Sequence, residues 1–181
     1  MKLVILDRNG VITQDPEDGA QIKGCTPIPH SLHAIARLNQ AGYRVMVASN
    51  EPEIVAGSPD IDSLTQCYAE LHQLLAKVGA HISGLFFCRH DRQSGCACRK
   101  PQAGLYEQIA LRLGVELTDV PVIGDELSDL QPAVAIGARP ILVLTGKGAS
   151  QQAKVLAEIP ATAVYANLAE ATAGLLLEET P

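Results

Sequence analysis

The sequence predicts an α/β fold of the Rossmann-like kind, a doubly wound parallel sheet with helices on both faces in three layers. Three observations carry this expectation. Short apolar runs recur along the chain and are separated by amphipathic segments of helix length. The runs are apolar at successive positions, as strands buried on both faces require. Four of them end in chemically capable residues, Asp7, Ser49, Cys88 and Asp125, and open parallel sheets hold their ligands at strand ends.

Taken in order, KLVIL (2–6) reads as a buried strand. SLHAIARLNQAG (31–42) reads as a helix, with Ser31 as its cap, Leu32, Ile35, Ala36 and Leu38 on one face, and Gly42 as its end. YRVMVAS (43–49) is the next strand, and 60–80 is a long amphipathic helix. GLFFC (84–88) is a strand and 103–114 a helix. VPVIGD (120–125), RPILVLTG (139–146) and ATAVYA (161–166) are further strands, with helices at 128–138 and 168–179. Pro132 is expected in the first turn of its helix, where the missing N–H costs nothing. Segments 14–29 and 50–59 read as loops on the edge that carries the polar strand ends.

The 181 residues are expected to form a single domain, 1–181, and 47% hydrophobic content is enough for a core without any Trp. A formal net charge of −6 argues against a nucleic-acid surface, which needs a basic stripe. No apolar run approaches the ~20 residues of a membrane span, and the N-terminal run does not read as a signal peptide. A cytoplasmic monomer is the expectation, and in that compartment the five cysteines are read as thiols or metal ligands rather than disulfides. Cys67 is read as a helix-core thiol; Cys25 has no assignment.

CRHDRQSGCAC (88–98) sets Cys88, His90, Cys96 and Cys98 within one Gly-containing loop. Three thiols and an imidazole suit tetrahedral Zn²⁺, and four protein ligands leave no open position, so this zinc would be structural. Its role would be to pin a loop too polar to fold by burial.

Asp7 and Asp125 follow strands that a parallel sheet can make neighbours, so the two carboxylates can share one hard cation such as Mg²⁺. Ser49, Asn50 and Lys100 supply a hydroxyl, an amide and an ammonium. An Asp nucleophile with these groups and a metal makes a phosphoryl-transfer set. Taken singly, each residue also has a bland reading: GDELSD is a good helix start with Asp125 as its cap.

LDRNGVI, VMVASN, CRKP and VIGDELSDLQ, in this order, resemble the four motifs of the haloacid-dehalogenase superfamily. The zinc loop before CRKP narrows the likeness to the branch of heptose-bisphosphate phosphatases of lipopolysaccharide biosynthesis and the related histidinol-phosphate phosphatases. The likeness runs through about residue 148. It implies Asp7 as nucleophile, forming an aspartyl-phosphate, and Mg²⁺ held by Asp7, the backbone carbonyl of Asn9 and Asp125. It also implies phosphate contacts from Ser49, Asn50 and Lys100, and a supporting role for Asp129. Arg99 would reach a phosphate or sugar hydroxyl. No large cap domain is expected, and the substrate would be a sugar phosphate.

Three departures bear on activity. Asn9 stands where the family has an Asp general acid/base, a function an amide cannot perform. In SNEPEIVAG (49–57), Glu51 and Glu53 add negative charge and Ala56 stands where Arg is expected. Both changes work against a dianion unless the acids point away. Arg89 stands where Pro is usual. Two readings follow: a phosphatase that is slowed or altered in substrate, or a relative that binds a phosphorylated ligand or a protein partner without catalysis.

Overall fold

The computed structural model describes residues 1–14, 25–51 and 60–178. Twelve elements alternate strictly. They are β1 (Lys2–Leu6), α1 (Ser31–Gln40), β2 (Tyr43–Asn50), α2 (Asp60–Lys77), β3 (Gly84–Cys88), α3 (Gly104–Leu113), β4 (Pro121–Gly124), α4 (Leu127–Ala135), β5 (Arg139–Val143), α5 (Gly148–Glu158), β6 (Ala163–Tyr165) and α6 (Leu168–Glu178). The six strands form one sheet in the order β3-β2-β1-β4-β5-β6, and every pairing is parallel. The chain turns one way after β1 and the other way after β3, so the topological switch lies between β1 and β4.

Side-chain alternation explains why these strands lack a polar face. In β1, Val4 and Leu6 enter the core beneath α1, α2 and α6, with Ile35, Leu38, Leu71 and Leu175. Leu3 and Ile5 enter the core beneath α3, with Leu105, Tyr106 and Ile109. β2 divides in the same way, Val45 and Val47 to the first core and Met46 and Ala48 to the second. Each such fully buried aliphatic side chain contributes about 1.5–3 kcal/mol relative to exposure.

Several sequence expectations need correction. Ser31 does not cap α1. The N-cap is His30, in the left-handed region at φ 68°, and the Ser31 hydroxyl instead donates to the Ile12 carbonyl at 2.8 Å. That bond ties α1 to the loop after β1. α2 stops at Lys77, because Gly79 adopts φ 70° and turns the chain. Pro132 is the sixth of nine residues in α4, so it interrupts the helix ladder toward Ser128 instead of occupying the first turn. α5 is an addition. Its sequence GASQQAKVLAE buries only Gly148 and Val155, too little to produce an apolar period. Segment 15–24 and residues 52–59, with Glu53 and Ala56, lie outside the described residues. Among the described residues no helix is long and apolar enough to cross a membrane.

Cys25 and Cys67 are joined by a disulfide with Cα atoms 4.9 Å apart. This overturns the reading of all five cysteines as thiols or ligands. Cys67 does lie in the core of α2, but the fold brings it against Cys25 across 42 residues of sequence, a proximity with no local signal. Closing a loop of that length lowers the entropy of the unfolded chain by an amount equivalent to about 4 kcal/mol on the chain-entropy relation.

Candidate active site

The strand order places the four polar strand ends side by side. Asn50 pairs with Cys88 at the end of the β2–β3 ladder, Leu6 pairs with Val47 and with Ile123, and Asp7 and Asp125 follow directly. The Asp7 backbone N–H donates to the Ile123 carbonyl at 2.9 Å. Single carboxylate oxygens of Asp7, Asp125 and Asp129 lie within 4.8 Å of one another. All three side chains are buried.

Lys100 is the hub. Its Nζ donates to Asp7 Oδ1 at 2.7 Å, to Asp129 Oδ1 at 2.6 Å and to the Ala48 carbonyl at 2.8 Å. Burial works against its charge, but Asp129 and Asp7 hold it protonated well above the ordinary lysine range. Burial pushes the Asp7 carboxyl up to about 7, against the pull of Lys100, and the Asp129 charge adds to the rise. Asp129 also accepts the Glu126 backbone N–H at 3.0 Å. Asp125 is therefore not the cap of α4. That position belongs to Glu126, and Asp125 Oδ2 instead accepts the Lys147 backbone N–H at 2.8 Å.

The residues fit a hard divalent cation. Three buried carboxylates against one ammonium leave a negative surplus of oxygen ligands. Gly10 and Gly146 crowd Asp125 so closely that a Cβ on either would collide with its carboxylate, and both adopt positive φ, 78° and 57°. Beside this cluster the Ser49 hydroxyl is fully buried and has no hydrogen-bond partner among the described residues. A buried hydroxyl without a partner costs about 1–3 kcal/mol, which an incoming oxyanion would offset.

Burial holds the Asp7 carboxyl protonated up to about 7, so a cation taking Asp7 as a ligand would have to displace that proton. Mg²⁺ affinity is expected to rise with pH toward about 7 and then level off, as isothermal calorimetry would measure. The sign for metal-free stability is opposite. Between the ordinary carboxylate value of 3.8 and about 7 the folded chain holds a proton that the unfolded chain has released. Asp7's contribution to stability therefore falls as pH rises through that window.

Other expected residues take more specific places. Asn50 clamps Lys100: its Nδ2 donates to the Lys100 carbonyl at 2.9 Å and its Oδ1 accepts the Lys100 N–H at 3.0 Å. Arg99 Nη1 is held by the His90 carbonyl at 2.8 Å and lies 3.4 Å from the Glu51 carbonyl. Asn9 is half-buried, and its Oδ1 faces the Thr13 hydroxyl at 3.4 Å.

Glu51 does not repel an anion from solvent. It is fully buried, accepting Arg8 Nε at 3.0 Å, Arg8 Nη2 at 2.5 Å and the Tyr68 hydroxyl at 2.5 Å. The Arg8 guanidinium also lies over the Tyr68 ring, 5.3 Å from its centre. Its charge is thereby spent inside the protein. Sequence reasoning missed Arg8 and Tyr68, and also Thr145, whose hydroxyl donates to the Gly10 carbonyl at 2.5 Å.

Cys88, His90, Cys96 and Cys98 do come together. His90 Nδ1 lies 3.1 Å from Cys98 Sγ and 3.5 Å from Cys88 Sγ, and the sulfur pairs are 3.2–3.6 Å apart. Burial and the neighbouring thiols push the Cys98 thiol up to about 12, while at Cys96 burial is overcome by hydrogen bonds from the Arg99 backbone and Ser94, which bring it down to about 6; a cation among them would let the thiols ionise together. This donor set fits a closed tetrahedral site. A metal assay on protein purified without chelator is expected to find about one zinc per chain, and stripping it should lower the unfolding temperature.

A cavity of about 650 Å³ opens over Lys100, lined among others by Asn50, Arg92, Arg99, Glu126 and Ser128. Besides Lys100, the cations that line it are Arg92 and Arg99, from the Cys/His loop and its exit, and the acids Asp91 and Glu126 line it with them. Arg89 does not line it.

Comparison with known proteins agrees with this geometry. Residues 97–171 match the family model "HAD-hyrolase-like". D-glycero-beta-D-manno-heptose-1,7-bisphosphate 7-phosphatase from Neisseria meningitidis serogroup B is 38% identical over 99% of this chain and 97% of its own. The enzyme of the same name from Pseudomonas aeruginosa is 40% identical over 96% of this chain and 97% of its own. Among solved structures, D,D-heptose 1,7-bisphosphate phosphatase from B. bronchiseptica, complexed with magnesium and phosphate, superposes with a TM-score of 0.86 at 40% identity. The match covers 98% of this chain and 99% of that one. Likeness of this extent, on a fold that lacks a large cap, establishes that the chain belongs to the haloacid-dehalogenase-like hydrolase family, alongside the heptose-bisphosphate phosphatases.

Proposed function

We propose that this chain, acting as a single domain over residues 1–181, is an Mg²⁺-dependent phosphomonoesterase. Its substrate in this reading is D-glycero-D-manno-heptose 1,7-bisphosphate, from which it removes the 7-phosphate. The observation that carries the reading is the convergence of Asp7, Lys100 and Asp129 beside Asp125 and the unpartnered Ser49 hydroxyl. The relatives named above supply the substrate.

Asp7 is the nucleophile. Lys100 occupies its Oδ1, which leaves Oδ2 to attack phosphorus and form an aspartyl-phosphate as the ester oxygen departs. Ser49 donates to a phosphoryl oxygen, and Lys100 neutralises charge that develops on the transferring group. Asp7, Asp125 and the carbonyl of Asn9 are the proposed Mg²⁺ ligands; the ion supplies Lewis-acid stabilisation of the phosphoryl oxygens. Cys88, His90, Cys96 and Cys98 are the proposed zinc ligands, with a structural role. Arg92 and Arg99 line the cavity and offer guanidinium donors for a second phosphate. Asn9 transfers no proton, so both the departure of the alkoxide and the hydrolysis of the phosphoenzyme proceed without an acid/base from that position.

A phosphate-release screen with the heptose bisphosphate, histidinol phosphate and simple sugar phosphates tests this reading, run on the unmodified protein and on Asn9→Asp. Preferred release from the heptose bisphosphate supports it. Silence of both forms on every ester would replace it with the binding-protein reading.

A further inference from the structure

Cys25 and Cys67 take no part in the zinc cluster or in the phosphate site, yet they lie one contact from the nucleophile. Cys67 is wholly buried on α2, and Cys25 is 5% exposed. The Cys25 N–H is held by Glu70 Oε2 at 3.2 Å, one helical turn beyond Cys67. On the other side Arg8 Nη1 donates to Cys67 Sγ at 3.5 Å. Arg8 directly follows Asp7, and its Nε and Nη2 donate to Glu51. The cross-link, the α2 face carrying Cys67 and Tyr68, the buried Arg8–Glu51 pair and Asp7 thus form one contiguous packed chain.

We infer that Cys25 and Cys67 form a redox site, opened by a dithiol reductant and closed by the matching cyclic disulfide, whose state is transmitted to Asp7 through Arg8. The Cα separation of 4.9 Å lies within the range a disulfide spans without backbone movement. The reductant's thiolate attacks Cys25 Sγ, on the member of the pair that is not wholly buried. The bond between the two protein sulfurs breaks, and its electron pair stays on Cys67 Sγ beside the Arg8 guanidinium, which stabilises the departing thiolate. The second thiol of the reductant then displaces Cys25 from the mixed disulfide. Two electrons and two protons pass to the protein, giving two thiols and the oxidised, cyclised reductant. Once open, the segment at Cys25 loses its covalent link to α2 and keeps the hydrogen bond to Glu70, and Cys67 competes with Glu51 for Arg8.

The test uses the full-length protein purified without reductant, in buffer containing zinc. Alkylation and peptide mapping are expected to find residues 25 and 67 in one linked peptide, separating after dithiothreitol. Calorimetry with Mg²⁺ alone as the probe is expected to show several-fold weaker binding after opening, recovered on reoxidation with oxidised dithiothreitol. Cys25→Ala should match the opened protein and ignore dithiothreitol. Recovery of both cysteines as alkylated thiols without reductant overturns the inference, as does equal Mg²⁺ affinity in the two forms. A response to dithiothreitol that persists in Cys25→Ala also overturns it, because that response would arise at the zinc loop. If Cys25→Ala does not fold, the reduction and reoxidation cycle of the unmutated protein decides. None of these readouts depends on turnover, so failure of the phosphatase reading would leave them standing.

Discussion

Asn9→Asp is expected to raise phosphate release by about 10²–10⁴-fold, the usual contribution of a positioned general acid/base. The surroundings favour the exchange. Asn9 is half-buried, one residue from the Gly10 turn, and its amide oxygen accepts from the Thr13 hydroxyl at 3.4 Å. A carboxylate oxygen can take the same contact without repacking. Asp7, Lys100 and Asp125 are already assembled, so under the proposed mechanism the substitution adds the proton carrier. The unmodified protein should accordingly hold its phosphoryl group longer. Rapid quench of a single turnover, followed by mapping of the acyl-phosphate to Asp7, is expected to show accumulation that Asn9→Asp abolishes. Rapid turnover of the unmodified chain with no adduct would mean that another group carries the proton.

Lys100→Met is expected to eliminate turnover and also to destabilise the fold by about 3–5 kcal/mol, the range for removing one partner of a buried ion pair. The Lys100 side chain is 2% exposed and holds two carboxylates at once. Its loss would leave Asp7 and Asp129 facing each other without compensation, with the Asp7 carboxyl, already raised to about 7, rising further. A raised carboxyl pKa favours the folded state when protonated. The deficit should therefore be largest above neutrality and shrink toward about pH 5 as Asp7 takes up its proton. Urea unfolding of the metal-free protein at several pH values measures this. A penalty that does not change with pH would show that Lys100 acts through packing alone.

Much of the site was legible in the sequence because its parts lie at strand ends. Asp7, Ser49, Cys88 and Asp125 each follow an apolar run, and a parallel sheet makes such ends neighbours whatever the intervening loops do. The Cys/His loop was legible because its four members fall within eleven residues. The rest depends on how α2 packs, which no local pattern encodes. Glu51 read as added negative charge, set either against an incoming anion or away from it in solvent, but packing turns it inward onto Arg8 and Tyr68. Cys25 and Cys67 read as unrelated because their proximity exists only once α2 lies over the end of β1. α5 escaped notice because a helix with a single large apolar residue at its buried face leaves no period in the sequence.

The reciprocal amide bonds between Asn50 and the Lys100 backbone join two stretches of chain fifty positions apart. A chimera built by transplanting the 88–101 cassette from another protein would inherit a lysine of the right identity with nothing to dock it. The cassette would have to travel together with its receiving amide at the tip of β2. Without that amide, the transplant would present the ammonium in the wrong place.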